Sequence, residues 1–256
     1  MADLIYGINP VREGLQGRRR RPLELFLLKE APSARIEDLL RMADQVGVPI
    51  RRRSRQDLDR LAGHSHHQGA VLRVEPFAYV DLEQLLASWH ESGRKAFFLV
   101  LDGITDPHNL GAIARSADAA GCHGIIVAKD RSCPVTAVVD KASAGSLEHI
   151  PLCQVTNLAR TLEDLKSAGT WVYGLAGEAE AEALFRCDLR GDLTLVVGSE
   201  GSGLRPNVRR HCDGLLAIPM AGGVASLNAS VAAAVALFEV VRQRRADQKF
   251  PPPADR

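Results

Sequence analysis

No two of the five cysteines are spaced as C-x-x-C and their number is odd, so the 256-residue chain offers neither a disulfide framework nor a zinc knuckle. Cys122, Cys133, Cys153, Cys187 and Cys212 read instead as reduced, mostly buried thiols of a cytosolic protein. Long apolar runs are missing too. The best membrane candidate, 217–241, is interrupted by Asn228, Ser230, Glu239 and the paired glycines Gly222 and Gly223, and a buried helix explains it better than a span. The start Met1-Ala2-Asp3-Leu4 lacks the basic and apolar regions of a signal peptide. Net charge is nearly absent: 32 Lys and Arg against 31 Asp and Glu leave +1, which by itself argues neither for nor against nucleic acid. His64-Ser65-His66-His67 is the one stretch that invites a metal, but it stands in a polar turn with no cysteine or carboxylate beside it. A loop stacking imidazole on an RNA base is at least as good a reading, and no metal is expected.

What is present is a 46% hydrophobic chain, long enough for one large or two modest domains with a proper core. Its positive charge is mostly arginine and unevenly placed, in Arg18-Arg19-Arg20-Arg21, Arg51-Arg52-Arg53 with Arg55, and Arg242 with Arg244 and Arg245. Such runs are more often solvated faces than binding sites. Two of the three fall in the first quarter, which suggests a small domain that grips a polyanion.

The first quarter alternates strands and helices. Residues 25–28 form a short strand; Ile36, Leu39, Leu40, Ala43 and Val46 keep one apolar face of a helix; 48–50 restarts as a strand; 57–62 is a weaker helix and 69–74 a last strand. Glu75-Pro76-Phe77 changes the composition and reads as a linker. The expected division is therefore 1–75, a linker and lead-in helix at 76–95, a main domain at 96–247 and a disordered tail at 248–256. In the main domain, apolar strands at 97–101, 124–127, 150–153, 170–175 and 193–197 alternate with helices at 82–89, 110–120, 137–147 and 157–168. Continuous apolar strands between amphipathic helices mean a parallel sheet covered on both faces, with ligands beyond the carboxyl ends of its strands. No G-x-G-x-x-G follows a first strand, which removes a dinucleotide-binding dehydrogenase.

Three of these strand ends carry unusual polar loops. The first runs Asp102-Gly103-Ile104-Thr105-Asp106-Pro107-His108-Asn109 into a helix that bears Arg115. Asn109 is either an ordinary helix cap or the residue that orders this loop; Arg115 is either a solvent-facing arginine or a fork aimed at phosphate and ribose oxygens. The second, Gly198-Ser199-Glu200-Gly201-Ser202-Gly203, has three glycines round one acid, and Glu200 would repel phosphate, so a cationic or hydroxyl-bearing ligand suits it better. The third, Ile218-Pro219-Met220-Ala221-Gly222-Gly223-Val224-Ala225-Ser226-Leu227-Asn228, runs into a segment that is apolar nearly all round, with Val231, Val235, Phe238 and Val241 at helical spacing. Such a helix is expected to be buried, with Ser226 and Asn228 at its start: a capped core helix, or one wall of a pocket for an adenosine and an amino acid.

In this order, D-G-I-T-D-P-H-N-L-G-A with Arg115, V-G-S-E-G-S-G-L and I-P-M-A-G-G-V-A-S-L-N-A-S-V-A resemble the three motifs of the SpoU branch of SPOUT RNA 2′-O-methyltransferases. Ile5-Tyr6-Gly7-Ile8, Val155-Thr156-Asn157-Leu158-Ala159-Arg160 and Phe238-Glu239-Val240-Val241-Arg242-Gln243 look like those members that methylate a guanosine of 23S ribosomal RNA, so the likeness covers nearly the whole chain. The resemblance implies an α/β fold with a deep carboxyl-terminal trefoil knot and a mostly parallel sheet, preceded by a small α/β domain similar to ribosomal protein L30e that binds the RNA. It implies S-adenosyl-L-methionine as cofactor, held by Gly198, Ile218 and Leu227 largely through backbone groups, and Asn109, Arg115, Glu200, Ser226 and Asn228 at catalytic positions. It also implies a cytoplasmic homodimer acting on a guanosine in the peptidyl-transferase region of 23S RNA. A sibling acting on tRNA or another ribosomal RNA site is the alternative, and a non-catalytic RNA-binding protein on the same fold would show broken motifs, which are intact here. The resemblance implies the arginine as the base, but a guanidinium with a pKa above about 12 stays protonated. Arg115 is therefore expected to hold the phosphate and ribose beside the target and relay the proton, with Ser226 and Asn228 orienting the cofactor-side loop and Glu200 fixing either the second loop or Arg115.

Overall fold

A computed structural model describes residues 2–29, 33–177 and 181–245, so the tail expected at 248–256 lies outside the described residues. The chain begins with β1 (Asp3–Tyr6), α1 (Ile8–Leu15), β2 (Pro22–Leu28), α2 (Ala34–Gln45), β3 (Ile50–Arg53), α3 (Arg55–Ala62) and β4 (Ala70–Val74). It continues through α4 (Leu82–Ser92), β5 (Phe97–Asp102), α5 (Pro107–Ala120), β6 (Gly124–Ala128), α6 (Ala137–Ala142), β7 (Leu152–Val155) and α7 (Leu158–Ser167). The last elements are β8 (Trp171–Leu175), β9 (Glu182–Ala183), β10 (Leu193–Gly198), α8 (Pro206–Arg209), β11 (Gly214–Ala217) and α9 (Ala229–Arg245). By their contacts these residues form two compact units, one from Met1–Val80, Asp106–Asp118 and Cys133–Pro151, the other from Asp81–Thr105, Ala119–Ser132 and Leu152–Arg256.

In the first unit four strands pair in the order β1-β4-β2-β3, with β4 antiparallel to both neighbours and β2 parallel to β3. Ile5, Leu25, Leu27 and Leu72 from the sheet meet Val11 of α1 and Leu39 of α2 in a closed apolar core. Ser33 and Ser54 start α2 and α3 by accepting the N–H of Ile36 and Asp57, each cap stabilising by about 1 kcal/mol. β1 and α1 were not legible as elements: β1 is four residues long, and Pro10 masks the helix, although in a first turn its missing N–H costs nothing. The helix expected at 137–147 is broken. α6 stops at Ala142 because Ala144 (φ 55) and Gly145 (φ 96) turn left-handed, and only a single 3₁₀ turn, Ser146–Glu148, follows.

Two polar features of this unit correct the sequence reading. Arg20 lies inside an arginine run expected to be a solvated face or an RNA grip, yet it is 2% exposed. Its Nε donates to Glu148 Oε1 at 2.6 Å, and its Nη1 and Nη2 donate to the Asp140 carboxylate at 3.0 and 2.7 Å. His67 is buried as well. Its Nδ1 accepts the Gly69 N–H at 3.0 Å, which leaves Nε2–H to donate to Asp59 Oδ1 at 3.0 Å, so this imidazole holds a turn. Among the described residues no group of three or more His, Cys, Asp or Glu is placed to hold a metal, and no helix is long and apolar enough to cross a membrane.

In the second unit seven strands pair, all parallel, in the order β7-β6-β5-β10-β8-β11-β9. β5 and β6 are buried along their whole length and β10 nearly so, as an unbroken apolar run in a parallel sheet requires. α9 packs against β10, but not as an all-round buried helix. Its buried apolar residues are Ala229, Ala233, Ala236, Leu237 and Val240, mostly small side chains that let the helix approach the sheet, while Val231 and Phe238 are 47% and 48% exposed. Buried Glu239 is matched by Arg242, at 2.8 Å to each oxygen, and by Gln243 at 2.7 Å.

His123 immediately precedes β6 inside this unit, accepting the Phe97 N–H on Nδ1 at 3.2 Å and meeting Ser92 Oγ at 3.0 Å. Burial first, then the charges of Arg94 and Arg244, push its pKa down to about 4. The unfolded imidazole takes its proton near 6.5, so the stability this neutral histidine contributes is complete above that pH and is lost as pH falls toward 4. Unfolding of the wild type is expected to cost roughly 1–3 kcal/mol less at pH 4.5 than at pH 7 through this group. Urea titrations of wild type and His123→Gln at both pH values check it: a pH slope identical in the two proteins would refute the assignment.

Candidate functional site

The loop after β10 is shaped by its glycines and by an acid on the neighbouring strand. Ser199 and Gly203 exchange backbone hydrogen bonds at 3.1 and 3.0 Å, closing a tight turn in which Gly201 (φ 86) and Gly203 (φ 62) take left-handed conformations. At Gly198 the constraint is space: an added methyl would stand 2.2 Å from the Gly203 carbonyl carbon and 2.5 Å from Leu204 N. The far end of the loop is tied to Asp102, the last residue of β5, which pairs in register with Gly198. Asp102 is 1% exposed, and its carboxylate accepts the Arg205 N–H at 2.7 Å and the Arg205 Nε–H at 2.5 Å. Sequence reasoning missed this anchor. The available signal was an acid closing an otherwise apolar strand.

The loop after β11 meets α9 at Asn228. Its Oδ1 accepts the Ser230 N–H at 2.9 Å and the Val231 N–H at 3.4 Å, so the capping reading holds. Its other end does more than cap: Nδ2 donates to Glu200 Oε1 at 2.6 Å. The same Glu200 oxygen accepts the Ala229 N–H at 3.4 Å, where a carboxylate at a helix N-terminus gains from the peptide dipoles. Glu200 and Asn228 thus stitch the second loop to the third.

Between these loops a cavity of about 510 Å³ opens beyond the carboxyl ends of β8, β10 and β11. Gly198, Glu200, Ile218, Ser226, Leu227 and Asn228 all line it. Among the described residues Glu200 is the one charged side chain of its lining, and the rest of that lining is apolar or neutral, with no lysine or arginine. A cavity of this size and character fits one small molecule with an apolar body and a net positive charge, and does not fit a phosphate. S-Adenosylmethionine, with its sulfonium and ammonium against the Glu200 carboxylate, meets that description.

Asn109 and Arg115 are not among its lining residues. Both lie on α5, in the stretch that groups with the first unit. Asn109 is 6% exposed and has polar partners, whereas Arg115 is exposed and makes no hydrogen bond or ion pair among the described residues. Six residues are one and two-thirds helical turns, which sets the two side chains on different sides of α5. The expectation of Asn109 at the very start of the helix is corrected: Asp106 takes that place, accepting the His108 N–H on Oδ1 at 3.0 Å, and Asn109 is the third helical residue.

Residues 96–238 match the SpoU rRNA Methylase family, and residues 4–80 match the RNA 2′-O ribose methyltransferase substrate binding family. The 23S rRNA (guanosine-2′-O-)-methyltransferase RlmB of Shewanella oneidensis is 49% identical over 95% of this chain and 98% of its own. Its Escherichia coli counterpart is 46% identical over 95% of this chain and 100% of its own. Among solved structures, the SpoU methyltransferase AviRb from Streptomyces viridochromogenes, in complex with the cofactor AdoMet, superposes with a TM-score of 0.77 at 30% identity, covering 95% of this chain and 90% of that one.

Proposed function

The chain belongs to the SpoU rRNA methylase family, and from that premise we propose that it transfers a methyl group from S-adenosyl-L-methionine to the ribose 2′-hydroxyl of a guanosine in the peptidyl-transferase region of 23S ribosomal RNA. The observation that carries this reading is the cavity at the strand ends, where six motif residues converge on a space whose described lining has the Glu200 carboxylate and no basic group. Gly198, Ile218 and Leu227 hold the cofactor there. It supplies a methyl group activated by the sulfonium charge. Glu200, held against Asn228, fixes the two loops that shape the cavity, and the exposed Ser226 hydroxyl completes the cofactor-side wall.

Asn109 and Arg115 act on the RNA side. Arg115 has its guanidinium free for the phosphate and ribose oxygens beside the target, and the fork of a guanidinium suits that geometry. Its role is positioning and charge, since a guanidinium with a pKa above about 12 does not serve as an ordinary base. Alignment of the hydroxyl with the methyl is the main contribution such a site makes.

Two separate family matches support a functional division close to 1–75, 76–95 and 96–247, with an L30e-like substrate-binding domain ahead of a knotted methyltransferase domain. We also read the protein as a cytoplasmic homodimer. Val231 and Phe238 leave an apolar stripe seven residues apart on α9, and Val224 is 63% exposed in the loop before it, a surface that a second copy would cover.

Labelled methyl transfer to unmodified 23S ribosomal RNA and to bulk tRNA tests the reading. The expected result is label on a single guanosine of the 23S peptidyl-transferase region. Label on tRNA alone, or on another ribosomal site, would overturn the substrate, and no label on any RNA would overturn the activity.

A further inference from the structure

A second cavity, of about 470 Å³, lies in the same unit where the second loop ends. Gly203 lines the first cavity and Arg205 the second, so one residue, Leu204, and at most about 7 Å of backbone separate their walls. The lining differs in kind. It carries three arginines, Arg131, Arg205 and Arg210, with Thr156, Asn157 and Asn207, and no carboxylate among the described residues. The charge of Arg205 is met by Asp102. Those of the other two are not: Arg131 is exposed, held at φ 59, and has no partner among the described residues, while Arg210 bonds only the neutral Asn207 amide, at 3.1 Å.

The start of α7 forms part of the same wall. Asn157 accepts the Arg160 N–H at 3.3 Å, which leaves the N–H groups of Leu158 and Ala159 without acceptors inside the helix. Two unneutralised guanidiniums, free amides and neutral hydroxyl and amide side chains in one concavity recognise a phosphate. The first cavity, with the Glu200 carboxylate as the one charge of its described lining, repels one.

We propose that this second cavity holds a backbone phosphate of the RNA, next to the nucleotide whose ribose is presented at the first cavity. This rests on the methyltransferase reading above and adds to it the residues that set where along the strand the reaction falls: Arg131 and Arg210 position the substrate and do not touch the methyl.

The test uses the full-length protein, a fragment of 23S ribosomal RNA, and Arg131→Ala, Arg210→Ala, the double variant and Arg131→Lys. RNA affinity is measured by filter retention over a range of salt, alongside S-adenosylmethionine affinity and turnover. Each alanine variant is expected to weaken RNA binding about tenfold and to flatten the plot of log affinity against log salt by about 0.7–0.9. Arg131→Lys should keep the slope, because it keeps the charge, and cofactor affinity should not change in any of the variants. A merely structural role would leave the slope unaltered. RNA affinity and slope unchanged in the double variant would overturn the phosphate site. Wild type that binds this RNA without methylating it would overturn the activity alone, and the slopes would still decide the phosphate site; wild type that does not bind it would overturn both.

Discussion

Gly198→Ala is expected to cost about 100-fold or more in S-adenosylmethionine affinity in a protein that still folds. The glycine is not there for its backbone freedom. The methyl of an alanine would lie 2.2 and 2.4 Å from the carbonyl carbon and oxygen of Gly203 and 2.5 Å from Leu204 N, all backbone atoms on the return limb of the loop. A flexible side chain could swing aside; a limb held by the Ser199–Gly203 bonds at one end and by Arg205 on buried Asp102 at the other must shift as a body. A displacement of about 1 Å moves Glu200 off Asn228 and deforms two walls of the cavity, and errors of that size cost enzymes about 100-fold. Gly191→Ala is the control, because nothing lies within 4 Å of a methyl there. Calorimetric titration of cofactor into both variants, with thermal melts to show that they are folded, decides the matter. Binding by Gly198→Ala within a few-fold of wild type would mean that the close approach does not shape the site.

The same loop shows which parts of the site were legible in the sequence. Gly198, Glu200, Ser226 and Asn228 stand in long ordered motifs at strand ends of an apolar parallel sheet, and such sheets place their ligands there, so the residues could be named and found together in one cavity. What could not be read was who holds whom. Glu200 to Asn228 spans 28 residues and Asp102 to Arg205 spans 103, and no local periodicity encodes a contact between loops. α9 shows a subtler limit. Its composition is apolar all round, and only the structure reveals that the alanine side faces the sheet while Val231 and Phe238 do not. Helical spacing gives which residues share a face; it does not say which face is wanted inside, because close approach can favour small side chains over large ones. The arginine runs were ambiguous for the same reason, since a charge is solvated or buried according to partners more than a hundred residues away.

Arg20 is the case with the largest consequence for stability. Its guanidinium is 2% exposed between Asp140, at 3% exposure, and Glu148, at 1%, and its plane lies 5.4 Å from the Phe77 ring centre. Burial works against the arginine charge, but the bonds and charges of Asp140 and Glu148 outweigh it and leave its pKa raised. Burial likewise pushes Asp140 up, against the pull of Arg20. Arg20→Met keeps much of the apolar stem and removes the charge, leaving two carboxylates buried side by side. We expect it to destabilise the protein by about 3–5 kcal/mol at pH 8, the cost of an uncompensated buried charge. The sign of the pH dependence follows. Without the guanidinium, one of the two carboxylates has its folded-state pKa raised far above the unfolded value near 4, so the folded variant binds the extra proton and its deficit relative to wild type shrinks as pH falls. Urea titrations of both proteins at pH 8 and pH 5.5 measure that difference, in which the common contribution of His123 cancels. A deficit under about 1 kcal/mol at pH 8 would show that the three charges are not acting as a buried unit. At temperatures where the variant remains folded, the salt dependence of its RNA binding should match wild type, because Arg20 is buried against Asp140 and Glu148 and presents no charge to a phosphate.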